Sequence, residues 1–128
     1  AIEEYLSRLD SLLTKGRELA VLVASDEAVR KANRDFRGVS KTTDVLSFPD
    51  GEDGRLGDIL ISARRAASQA SDAGHQVEDE VRILILHGVL HLMGWDHESD
   101  DGEMLAEERV WRHKLGLPNG LIERAQSC

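Results

Sequence analysis

Residues 76–97 read QVEDEVRILILHGVLHLMGWDH. The stretch 76–93 is long enough for a helix, and its second half is apolar on nearly every side. Such a helix belongs at the centre of a domain, covered by its neighbours. Two polar rings interrupt it, His87 and His91. Four residues of helix turn through about 400°, so these rings lie about 40° apart on one face. Buried imidazoles need partners, and one ion about 2.0–2.1 Å from each nitrogen satisfies both. Gly94 suits the left-handed conformation that ends a helix and reverses the chain. That reversal can carry His97 back to the same ion. The spacing predicts a three-histidine metal site, with His87 and His91 on the helix and His97 from the following loop.

Three ligands and no nearby cysteine leave a fourth position open, as in catalytic zinc sites. One zinc ion is the expected cofactor, although nickel or copper also accept imidazoles. The rings bind metal in their neutral form, so acid or a chelator should remove the ion. Asp96 is expected to orient a ligand imidazole or, equally, to shape the turn after Gly94. The ligand spacing is that of the metzincin peptidases, which carry a general-base glutamate directly after the first histidine. Here that position is Gly88, which can neither accept nor deliver a proton. The residue suits close approach of another element or of substrate.

Outward from this helix the pattern is mixed. Residues 2–15 have apolar positions at helical spacing, with Gly16 as a stop. Residues 18–24 (ELAVLVA) suit a buried strand. Ser25 can cap a helix over 26–35 that ends at Gly38. Val45, Leu46 and Phe48 read as a strand closed by a Pro-Asp-Gly turn. Residues 56–62 form another strand, 63–74 an alanine-rich helix, and a last helix starts near Asp100, where Asp100 and Glu103 resemble a capping box. The expected class is α+β: a small mixed sheet packed with helices, the central one carrying His-x3-His. The 128 residues make one domain, 1–128. The sequence opens at Ala1 without a methionine, as expected of a trimmed N-terminus.

The net charge is −8, from 24 acidic and 16 basic residues. This argues against a surface that grips nucleic acid as a whole. Five aromatics are too few for an extended base-stacking platform. The charge is uneven, however. Residues 30–41 hold Arg30, Lys31, Arg34, Arg37 and Lys41 against Asp35 alone, a local +4. Residues 96–108 hold seven acids and no Lys or Arg, which reads as a solvated helix face. No run approaches the roughly 18 apolar residues of a membrane span, and no secretory leader is expected. The lone Cys128 makes a reducing compartment, the cytoplasm, the expected location. His75 and His113 are isolated and read as surface or helix-end residues.

HGVLHLMGWDH resembles the signature of the YbeY family of rRNA-maturation endoribonucleases. Two further segments agree: Asn33-Arg-Asp-Phe-Arg37 with Lys41-Thr-Thr-Asp-Val-Leu-Ser-Phe48, and Leu56-Gly-Asp-Ile-Leu-Ile-Ser62. The similarity spans about residues 19–117. It implies a metal-dependent endoribonuclease specific for single strands, active in small-subunit (16S) rRNA maturation and ribosome quality control. The family's metal-binding histidines fall on His87, His91 and His97, and its functional arginine on Arg37. Implied partners are single-stranded rRNA, small-subunit ribosomal proteins and an assembly GTPase, without DNA or membrane. Thr42 stands where the family commonly has proline, which loosens that loop. The family also begins with a strand ahead of the first helix. Residues 2–15 read as that helix with no strand ahead of it, so a sheet short of one edge strand is expected, which bears on stability and not on the site.

Arg37 is the expected catalytic residue, because its planar fork of donors fits a phosphodiester and its more charged transition state. Arg34 and Lys41 are the expected substrate contacts. The attacking group is open between activated water and an RNA 2′-OH; a 2′,3′-cyclic phosphate product would identify the latter. Two other functions compete, a metallopeptidase-like hydrolase and a non-catalytic ribosome-assembly factor. Gly88 speaks against the first, the open ligand set against the second.

Overall fold

A computed structural model describes residues 2–40, 43–50, 54–95 and 100–117. In chain order the elements are α1 (Ile2–Leu9), a π-helical turn (Asp10–Thr14), β1 (Glu18–Ala24), α2 (Asp26–Arg37) and β2 (Val45–Pro49). β3 (Arg55–Ser62), α3 (Ala63–Ala73), α4 (Val77–Leu92) and α5 (Glu103–Leu115) follow. The α+β class holds, with one small mixed sheet and five α-helices among the described residues.

β3 is the central strand. β2 returns antiparallel to it across a short connection, with Leu46 opposite Leu60. β1 runs parallel to β3, Val21 opposite Ile59, through a crossover that contains α2. A parallel pair needs such a crossover, because no tight turn can join its ends. Ile59 and Ile61 of β3 are buried, while Asp58, just before them, forms an ion pair with Arg55 at the surface. Among the described residues β1 pairs with β3 alone, and its Leu22 is 63% exposed. The burial expected for residues 18–24 does not hold: no β1 residue is buried, because the strand pairs on one side only among the described residues.

α2 starts as expected, with the Ser25 hydroxyl accepting from the Ala28 N–H at 3.2 Å. It runs two residues beyond the predicted 35 before Gly38 turns left-handed. The first helix differs more. It does not continue as α-helix to residue 15 but widens after Leu9 into a π turn, with Lys15 N–H donating to Asp10 O at 2.7 Å. The Asp10 carboxylate accepts from Thr14 Oγ1 and from Gly16 N–H, which fixes this wider exit. Apolar periodicity is blind to such a one-residue insertion. The capping box is also shifted: Asp100 accepts from the Gly102 and Met104 N–H groups, and Glu103 reaches back to Asp101 N–H.

α4 lies at the centre, against β2 and β3 on one side and α1, α3 and α5 on others. Leu84, Ile85, Leu86, Val89 and Leu90 are fully or almost fully buried along it. Tyr5 of α1 donates to Arg82 O at 2.8 Å, and burial pushes its hydroxyl well above the usual phenol range. His75 is not a plain surface residue. Its Nε2 lies 2.6 Å from Glu80 Oε1, and the Glu80 side chain is wholly buried. A carboxylate at that depth requires a polar partner, which the imidazole supplies.

Candidate functional site

The C-terminal half of α4 opens into a cleft of about 510 Å³, with β2 on one side and the turn after α4 on the other. His87, His91, Trp95, Asp44, Ser47 and Arg37 contribute to its lining. Gly94, at φ +100°, takes the left-handed conformation expected at the end of the helix, and Trp95 N–H donates back to Leu90 O.

The two histidines meet as their spacing predicts. Their ring centroids are 4.6 Å apart at 80°, and their Nε2 atoms approach to 3.1 Å. Both outer nitrogens face acceptors. His87 Nδ1 lies 3.2 Å from Glu108 Oε2, and His91 Nδ1 lies 3.0 Å from Trp95 O. A carbonyl can only accept, so His91 carries its proton on Nδ1. Glu108 Oε2, accepting from His87 Nδ1, would set the same tautomer on that ring. Both Nε2 lone pairs then converge on one point. Tetrahedral zinc ligands at about 2.0–2.1 Å from the ion sit about 3.3 Å from one another. The donor set and its spacing therefore fit a transition metal. Among the described residues no group of three His, Cys, Asp or Glu gathers for an ion. The expected third ligand, His97, lies outside the described residues, as do Asp96 and Lys41.

Glu108 is the site residue that sequence reasoning missed. The acidic run 96–108 reads as a solvated face, yet Glu108 within it is 1% exposed. Its signal was positional. Residues 104, 108, 111 and 115 fall on one helical face, and Met104 and Leu115 of that face are buried.

Gly88 faces the sheet. A Cβ there would sit 2.9 Å from both Ile59 Cδ1 and Ser47 Oγ, and Ser47 Oγ donates to Gly88 O at 3.3 Å. The glycine thus permits close approach of β2 and β3 to α4, one of the two roles expected for it.

Arg37 is the last residue of α2 and lines the cleft. Its Nη2 donates to Ser47 O at 3.1 Å, which ties the guanidinium to β2. Arg34 does not line the cleft; it pairs with Asp35 at 3.6 Å on the exposed side of α2. Asp44 does line it, and its carboxylate accepts from Val45 N–H and Gln69 Nε2, which braces the start of β2.

Fold and cleft together define a class first: a small α+β domain in which paired, oriented imidazoles share a cleft with a guanidinium. The family model described as endoribonuclease YbeY matches residues 1–116. The chain belongs to the YbeY endoribonuclease family. It is 53% identical to an endoribonuclease YbeY of Solibacter usitatus over 99% of this chain and 86% of that one. It is 46% identical to one of Nautilia profundicola, over 93% and 86% of the two chains. Its fold is similar to a solution structure of a Thermotoga maritima protein, with a TM-score of 0.65 and 28% identity. That match covers 89% of this chain and 80% of the other. No helix among the described residues is long and apolar enough to cross a membrane.

Proposed function

We propose that the chain is a metal-dependent endoribonuclease that cuts single-stranded RNA, with small-subunit rRNA as its natural substrate. The observation that carries this is the convergence of His87 and His91 Nε2 at 3.1 Å in the cleft that Arg37 lines. Family membership supplies the substrate class. His87 and His91, with His97, would hold one zinc ion. When bound, the ion supplies Lewis acidity toward a phosphodiester and acidifies water. Glu108 and the Trp95 carbonyl hold the two rings in the tautomer that binds metal. Arg37 is fixed at one N–H by Ser47 O and carries further donors for phosphate oxygens. Arg34 and Lys41 would contact neighbouring phosphates of the strand. Small-subunit ribosomal proteins and an assembly GTPase are the partners that would bring an acidic protein to its rRNA. Gly88 leaves a peptidase without its base, so that alternative is not favoured.

The test is cleavage of a single-stranded RNA, with its duplex as control, by the purified protein and by Arg37→Ala. Arg37→Ala should keep its metal and lose about 100-fold or more in kcat, as expected for a donor to the transition state. Wild-type cleavage by a metal-loaded Arg37→Ala protein would overturn the role.

Glu108→Gln tests the support of the ring. It should lower zinc affinity by about 10–100-fold, measured by competition with a chelator of known affinity. Unchanged affinity would mean that the carboxylate serves packing alone.

A further inference from the structure

Two of the five aromatic side chains meet beside the cleft. Phe36 is in the last turn of α2, next to Arg37, and is 75% exposed. Its ring lies 5.3 Å from that of Phe48 at an interplanar angle of 53°. Phe48 follows Ser47, whose carbonyl holds Arg37, and the Arg37 guanidinium carbon is 6.0 Å from the Phe48 centroid. The guanidinium and the two rings thus form one cluster, with the cation lining the cleft and Phe36 outside it.

A phenylalanine this exposed adds little to a core. Its contact with Phe48 holds it on one side and leaves most of its surface to solvent. A nucleotide offers a matching pair, a flat base and a phosphate a few ångströms away. Every base has a π-face, so such a contact works without sequence readout.

We infer that Phe36, braced by Phe48, stacks on the nucleobase adjoining the phosphate that Arg37 binds, and so positions single-stranded RNA in the cleft. This rests on the RNA-cleaving function proposed above. A base in a duplex is already stacked on its neighbours, so the contact also favours single strands. A short platform of this kind is compatible with the low aromatic content, which excludes only an extended one.

The experiment compares wild type, Phe36→Ala and Phe36→Tyr on single-stranded RNA oligonucleotides, including a series with one abasic position moved along the strand. Phe36→Ala should raise KM about tenfold, in line with the loss of one base–aromatic stack. Its kcat and thermal midpoint should be unchanged, and Phe36→Tyr should restore KM. Wild type should lose affinity at one abasic position, to which Phe36→Ala is indifferent. If wild type cleaves RNA but Phe36→Ala has the same KM and abasic profile, the stacking role is overturned and the exposed ring serves a protein contact. If wild type cleaves no RNA at all, this inference falls together with the proposed function.

Discussion

His91→Ala should lose its metal and cut single-stranded RNA about a thousandfold more slowly or worse, while the domain stays folded. A Lewis acid contributes several kcal/mol to a transition state, and about 4 kcal/mol is a thousandfold in rate. The variant should keep its fold because His91 is half-buried and its ring borders the cleft, not the packed interior. His87→Ala is a less clean probe. His87 is 7% exposed and faces the buried Glu108, so its removal costs stability as well as metal. Metal content, cleavage rate and thermal midpoint should be read on the same His91→Ala sample. Cleavage at the wild-type rate by that sample would point to a contaminating nuclease or to a site elsewhere.

Gly88→Glu should destabilise the domain by about 3 kcal/mol or more and create no peptidase. The substitution restores the residue that metzincins carry after the first histidine. Position 88 nevertheless faces the sheet, where a Cβ alone would meet Ile59 and Ser47 at 2.9 Å. The added carboxylate would be both crowded and buried, each of which costs on that order. The thermal midpoint should fall by about 10 °C or more. Gly88→Ala should cost less, because Ile59 Cδ1 and Ser47 Oγ are side-chain ends that can shift and alanine gains about 1 kcal/mol of helix propensity over glycine. A stable Gly88→Glu protein that digests casein would show that the site is a peptidase lacking only its base.

Local signals carried most of the fold. Ser25 and Gly38 bracket α2, and the apolar runs at 18–24 and 56–62 form β1 and β3. The paired histidines and the turn at Gly94 were legible because helical spacing converts directly into geometry. What escaped depends on contacts between elements. Glu108 reaches His87 only once α5 packs on α4, and 21 residues separate them. His75 and Glu80 form a pair whose burial no local pattern announces. The π turn at Asp10–Thr14 is stabilised by one carboxylate, and apolar periodicity carries no trace of it. Composition pointed away from RNA, because a net charge averages the basic end of α2 with acids elsewhere. The Phe36–Phe48 contact was hidden in the same way, since a count of aromatics does not say which two meet.

The most direct measurement is a zinc titration of chelator-stripped protein, with single-stranded RNA cleavage and bound metal followed together. Cleavage should be absent at the start, rise in proportion to bound zinc and level off at one ion per chain. Full cleavage by the stripped protein, or zinc binding that leaves the rate unchanged, would contradict a metal centre built on His87 and His91.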